Sequence, residues 1–221
     1  MGLGGSTTFL CNLGGELIRR GIPCRVFADT SASPLAADFQ RRGIRVIFPQ
    51  DRKAIFEDRL AATLRALRDF QPTVVVATLM PFEFEILRYL PARIQRIAMA
   101  QSDDPIVYAN LEKYVASMDM VVGVSATIVA RLEKRAAFNR LPKCHLPYGV
   151  AMPEQTALRA QPGEPLRVLY LGRLVNEQKR VRLFPQILTV LQQSGIPFHW
   201  TIAGEGPDRA ILEKQIGRAH V

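Results

Sequence analysis

Apolar positions along the chain fall into short blocks with two spacings. Near the start, Phe9, Leu10, Leu13, Leu17 and Ile18 recur at three and four residues, and Gly21 closes the run. That is the period of one helical face, and it predicts a helix over about 7–20 with Ser6 or Thr7 as N-cap. Beyond it, compact apolar runs predict strands at 24–28, 45–48, 73–78, 96–100, 120–124 and 144–147. Helical spacing predicts helices at 34–42, 52–70, 82–90, 106–117 and 125–137. Runs without polar alternation, such as Val74-Val-Val-Ala, predict strands covered on both faces. Strand-to-helix steps this short predict parallel strands joined by right-handed crossovers. Residues 151–165 then carry Pro153, Pro162, Gly163 and Pro165 among polar neighbours, the composition of a linker. A strand at 166–171, a helix near 182–193, a strand at 198–203 and a last helix opening at Pro207 or Asp208 complete the pattern. The expected fold class is α/β, with two Rossmann-like domains at 1–150 and 166–221.

Composition narrows the classes. The chain has 221 residues, 48% of them hydrophobic and 22% charged, enough for a real core and unlike a disordered segment. No apolar run reaches the ~18–20 residues of a membrane span. Met1 is followed by glycines and threonines rather than a basic segment and an apolar block, so cytoplasmic residence is expected. Cys11, Cys24 and Cys144 are odd in number and lack metal-ligand spacing, which predicts free buried thiols. The histidines are scattered, and neither a metal nor another cofactor is expected. A net charge of +9 points to an anionic partner. The arginines are dispersed singly or in pairs, with no helix-turn-helix, zinc ligand set or RNP-like strand, which argues against nucleic acid. An anionic substrate or a peripheral hold on the inner face of an anionic membrane remains.

Candidate chemistry concentrates in the second domain. The strand at 166–171 empties into Gly172-Arg173-Leu174, and Lys179 follows six residues after Arg173. The strand at 198–203 empties into Gly204-Glu-Gly206-Pro207. Ligands of open parallel sheets sit outside the carboxyl ends of the strands, where backbone N–H groups and helix N-termini face outward. Two added positive charges there make a diphosphate site. Each element alone reads as an ordinary strand-ending turn or a solvated cation; order and spacing together carry the reading. In the first domain, Gly4 and Gly5 run into the predicted helix, an arrangement able to cradle an anion. No third glycine follows at the dinucleotide spacing. Gln101-Ser102-Asp103-Asp104-Pro105 sits between a predicted strand and helix, where aspartate caps and Pro105 suits the first helical position. Ser125 opens the helix after Val124, again as a cap.

These residues resemble the GT-B fold glycosyltransferases of family 4, which are retaining and use nucleotide-sugar donors. The matches are Gly172-Arg173-Leu174, Lys179 and Gly204-x-Gly206-Pro207, with Arg180 in place of the glycine that usually follows the lysine. The resemblance implies that Arg173 and Lys179 hold the donor diphosphate, that Gly172, Gly204 and Gly206 form the nucleotide-side loops, and that Gly4 and Gly5 face the donor phosphates. It places Gln101, where relatives often carry histidine, with Ser102, Asp103 and Ser125 on the acceptor side. Gln101 cannot titrate near neutral pH, so a proton relay through it is not expected. Tyr148 stands where the family's Asn-Gly-Val segment has asparagine. The implied partners are a nucleotide-sugar donor and a glycan, lipid-linked or envelope acceptor.

Measured against the family, the first domain is expected to lack its opening strand, and the second the later strands and the Glu-x7-Glu segment. The catalytic residue therefore stays unassigned, and a fragment of low activity is expected. The strands at 24–28 and 73–78 should flank an empty slot or close up to pair, and the second domain should hold two parallel strands with exposed edges. The ending Ile216-Gly-Arg-Ala-His-Val221 matches what a common sequencing adapter encodes and reads as foreign. Two other readings fit the pattern: a noncatalytic nucleotide- or phosphate-binding Rossmann-like module, and another GT-B enzyme such as a nucleotide-sugar epimerase or a phosphorylase.

Overall fold

The computed structural model describes residues 4–28, 36–48, 54–78, 81–150 and 163–216, with isolated positions 152, 154 and 161 between. The end of the expected foreign tail (217–221) and most of the expected linker lie outside these residues. Contacts divide the chain into two compact units, Met1–Met152 and Pro153–Val221.

The first unit alternates α1 (Gly5–Arg19), β1 (Arg25–Phe27), α2 (Ala36–Arg41), β2 (Arg45–Ile47), α3 (Phe56–Phe70), β3 (Val74–Ala77), α4 (Pro81–Leu87), β4 (Gln95–Ala100), α5 (Pro105–Lys113), β5 (Met120–Gly123), α6 (Ala126–Glu133) and β6 (Lys143–His145). All of its strand pairings are parallel. The order is β3-β4-β5-β6 in one sheet, with β1-β2 as a separate pair. Among the described residues no backbone ladder joins β1 to β3, so the two strands expected either to flank a slot or to close up have not closed up.

What ties the pair to the larger sheet is side-chain packing. Phe9 of α1 is buried with Met99 and Val122 of β4 and β5. Cys11 of the same helix is buried with Val26, Phe39 and Ile44, around β1, α2 and the start of β2. Phe27 packs against the main core, in which Phe84, Leu87, Ala98, Leu111, Val121, Leu132 and Phe138 are nearly or wholly inaccessible. Between β4 and β5, Arg96 makes a two-pronged contact with Asp119 at 2.7 and 3.1 Å. Hydrogen bonding to Arg96 holds the Asp119 carboxyl below the usual carboxylate range.

Several expectations need correction. Helix α1 begins at Gly5 with Gly4 as N-cap, and neither Ser6 nor Thr7 caps it. With no polar side chain demanded at the cap, the helix extends into its glycines. Val74 and Val76 of β3 are 44% and 40% exposed, so among the described residues that face of this edge strand is only partly covered. The three thiols are free, but Cys144 is exposed on β6 and only Cys11 is fully buried. The long helices expected at 106–117 and 125–137 each break into an α-helix and a following 3-10 turn, at Val115–Ser117 and Ala136–Phe138. No helix among the described residues is long and apolar enough to cross a membrane.

The second unit contains β7 (Leu166–Leu171), α7 (Asn176–Lys179), α8 (Phe184–Gln193), β8 (Phe198–Ala203) and α9 (Arg209–Ile216). Strands β7 and β8 pair in parallel over six residues. Alternation gives the sheet two faces. Tyr170, Trp200 and Ile202 join Leu174, Val181, Phe184 and Leu212 in a core. On the other face Leu169 and Leu171 are 63% and 78% exposed, so β7 is not the buried strand its composition predicts. Pro207 is also not the first helical residue: α9 starts at Arg209, with Pro207 and Asp208 in the turn before it.

Candidate functional site

Two strand-end turns in the second unit are laced together backbone to backbone. Gly172 N–H donates to Ala203 at 3.1 Å, Leu174 N–H to Glu205 at 2.8 Å, and Asp208 N–H to Leu174 at 3.1 Å. Gly204 and Gly206 make this approach feasible. A Cβ at Gly204 would lie 1.9 Å from the Gly172 carbonyl oxygen, and one at Gly206 would lie 2.2 Å from that of Leu174. The expected Gly172, Gly204 and Gly206 thus meet in one crossing, with Leu174 2% exposed as its anchor.

From that crossing the chain carries Arg173, then α7, then Lys179. The Arg173 guanidinium donates to Gln178 Oε1 at 2.5 Å, the residue before Lys179, and its carbonyl accepts from the Tyr170 hydroxyl at 2.9 Å. Arg173 and Lys179 therefore belong to one compact loop, both exposed. Lys179 has no side-chain partner among the described residues. Arg180 holds φ at 51°, the left-handed region. A side chain costs roughly 1–2 kcal/mol in this conformation, which glycine would adopt freely.

Asp208 closes the loop from below. Its carboxylate accepts from Asn176 N–H and from Arg182 Nε, each at 2.8 Å. Arg182 N–H in turn donates to Asn176 Oδ1 at 3.2 Å. Hydrogen bonding to the Asn176 amide, then to Arg182, holds the Asp208 carboxyl below the ordinary range. Sequence reasoning missed Asp208, Asn176, Gln178 and Arg182. The available signal was an aspartate directly after Gly-x-Gly-Pro, which reads as an ordinary cap.

In the first unit the expected residues gather at the carboxyl ends of β4, β5 and β6. Val124 N–H donates to Ala100, and Leu146 N–H to Gly123. Gln101 leaves β4 with both amide atoms buried and unpartnered. Such a pair is costly unless a polar group arrives to satisfy it. Ser125 caps α6, accepting from Ile128 N–H at 3.2 Å. Asp104 caps α5, accepting from Ile106 N–H at 2.8 Å, with Pro105 first in the helix. Asp103 is committed otherwise: it accepts from the Tyr108 hydroxyl at 2.7 Å and pairs with Arg131 at 3.2 Å. Burial, with this hydrogen bond second, pushes the Tyr108 phenol up to about 12. Ser102 is exposed.

Gly4 and Gly5 start α1, whose Phe9 reaches β4 and β5. Tyr148 was noted in the sequence only as a departure from the family pattern, but it packs here. Its ring lies 4.9 Å from that of Phe9. Asn12 Nδ2 donates to the Gly149 carbonyl at 3.3 Å. Burial raises the Tyr148 phenol, against a hydrogen bond with Ser6. Among the described residues no group of three or more His, Cys, Asp or Glu side chains is placed to hold a metal ion.

The sequence model described as Glycosyltransferase Family 4 matches residues 3–150. A comparison with curated proteins returned no match. Among solved structures, the lipopolysaccharide outer core galactosyltransferase WaaB, in its apo form, superposes with a TM-score of 0.66 at 16% identity, covering 97% of this chain and 61% of WaaB. TarM superposes at 0.51 with 14% identity, covering 74% of this chain and 34% of TarM. A mutant of S. aureus TarM, in complex with fondaparinux, α-GlcNAc-glycerol and UDP, gives 0.50 at 13% identity over 72% of this chain and 34% of its own. This chain thus spans about a third of TarM and three-fifths of WaaB. These likenesses establish the shared GT-B fold.

Proposed function

Because the chain belongs to glycosyltransferase family 4, we propose that it serves an enzyme that moves a sugar from a nucleotide-sugar to an acceptor with retention of configuration, the first unit on the acceptor side and the second holding the donor diphosphate. The observation that carries this reading is the Arg173–Lys179 loop, laced to the Gly204–Gly206 turn beyond the carboxyl ends of two parallel strands. Arg173 and Lys179 would take up the charge that grows on the leaving diphosphate as the bond between the anomeric carbon and the phosphate oxygen breaks. Preorganised cations act best when held in place before the bond breaks, and the hydrogen bond from Arg173 to Gln178 supplies part of that holding. With two cations at the diphosphate, no metal is required. The acceptor would attack from the face the diphosphate leaves. Gln101 would offer its unpaired amide to a sugar hydroxyl as donor and acceptor. Tyr108 and Arg131 engage Asp103, which leaves it positioning the start of α5 rather than contacting substrate.

The acceptor is a glycan, lipid-linked or of the cell envelope. The net charge of +9 supports loose contact at an anionic membrane face, with the cytoplasm as the proposed compartment. Binding of UDP, GDP and ADP to the protein, repeated with Arg173→Ala and Lys179→Ala, tests the core of this reading. Each variant is expected to weaken the preferred nucleotide by roughly ten- to a hundredfold, the worth of one charge-assisted contact at about 1.5–3 kcal/mol. Unchanged affinity in both removes the diphosphate assignment.

A further inference from the structure

Asp208 sits directly before α9, and its carbonyl accepts from Leu212 N–H at 3.0 Å, as that of an N-cap residue does. An aspartate there ordinarily turns its side chain onto the first N–H groups of its own helix. This one crosses instead to the loop that bears Arg173 and Lys179. There it takes the Asn176 amide, the first N–H of α7 and one that the helix cannot satisfy internally. The carboxylate side chain is 5% exposed, while its partner Arg182 is 52% exposed. A buried charge is thus placed where a single backbone amide of the cationic loop is fixed, and Arg182 is itself tied back to Asn176.

We propose that Asp208 is a positioning residue for the cationic loop: gripping Asn176 N–H, and steadied by Arg182, it fixes the segment between Arg173 and Lys179 in the shape that presents both cations to one diphosphate. This rests on the reading of that loop as the diphosphate site. Asp208 touches no reacting atom and acts through the two cations.

The test is a double-mutant cycle on UDP binding to the whole 221-residue chain. Asp208→Asn keeps the volume but offers one acceptor oxygen and an NH2, so a donor must face either Asn176 N–H or Arg182 Nε. Asp208→Asn is expected to weaken UDP about tenfold, with Arg173→Ala comparable or worse. The double variant should bind little worse than the weaker single variant, because a loop already out of shape has little left to lose from Arg173. A general loss of stability would leave the two effects independent, and they would multiply. Multiplying effects overturn the proposal, as does unchanged affinity in Asp208→Asn where Arg173→Ala weakens binding. If Arg173→Ala alone leaves affinity unchanged, the cycle is run with Lys179→Ala in its place; if both leave it unchanged, the diphosphate reading fails and this inference falls with it. Should Asp208→Asn fail to fold, Arg182→Gln removes the carboxylate's second donor at an exposed side chain while the Asn176 contact stays; a smaller loss of UDP affinity that fails to multiply with Arg173→Ala supports the proposal, and unchanged affinity or a multiplying effect overturns it.

Discussion

Replacing Gly206 by alanine perturbs the loop crossing at its tightest point. The added Cβ would lie 2.2 Å from the Leu174 carbonyl oxygen, 2.6 Å from its carbonyl carbon and 2.8 Å from its nitrogen. All three are backbone atoms, so no flexible side chain can swing clear. Ordinary contact requires a separation of about 1 Å more. Leu174 has no slack to give: its N–H donates to Glu205 and its carbonyl accepts from Asp208. Pulling the strands apart weakens both bonds, at about 0.5–1.5 kcal/mol each. It also lifts a leucine that is 2% exposed out of a core shared with Val181, Phe184 and Leu212. Partial loss of that packing adds about 1 kcal/mol. The expected cost is about 2–4 kcal/mol. Trp200, the chain's single tryptophan, packs 5.3 Å from Phe184 in the same core, so its fluorescence during urea unfolding reports on this unit. A Gly206→Ala transition displaced by less than about 0.5 kcal/mol would refute the close approach, and with it the physical account of the Gly-x-Gly turn.

Arg180→Gly should raise stability in the same urea assay by about 0.5–1 kcal/mol. Relief of the left-handed backbone at φ 51° outweighs the greater freedom of glycine in the unfolded chain. Tyr108 gives an alkaline prediction. Its phenol is held neutral in the folded state up to about 12, so its contribution is full below the unfolded value near 10 and fades as pH rises from there. Melting temperature should fall across that window, and Tyr108→Phe, having no proton to lose, should flatten the fall.

Element types and order were legible because apolar spacing reports directly on which face of a helix or strand is covered. Ser125, Asp104 and Pro105 were legible for a similar reason: capping is local chemistry, settled within three residues of chain. The rest depended on what stands opposite. Val74 and Val76 have the residue types of a doubly covered strand, but no run of valines reveals that one face is only partly covered among the described residues. Asp208 was visible only as a residue near the start of the last helix, and only the crossing of two distant turns gives its carboxylate the Asn176 amide. The glycines of that crossing were recognised from their order in the chain. Their physical reason, a carbonyl oxygen about 2 Å from where a methyl would go, lies in three dimensions alone. Tyr148 was visible only as an unexpected residue, since neither Phe9 nor Ser6 lies near it in sequence.

Helix α1 has one further consequence. With Phe9 sunk into one sheet and Cys11 into another, it works as a splice plate between parts that share no ladder. Among the described residues the small β1–β2 leaf meets the larger sheet through side chains and not through backbone rungs, so its seating depends on the fit of α1 and Phe27 rather than on strand register.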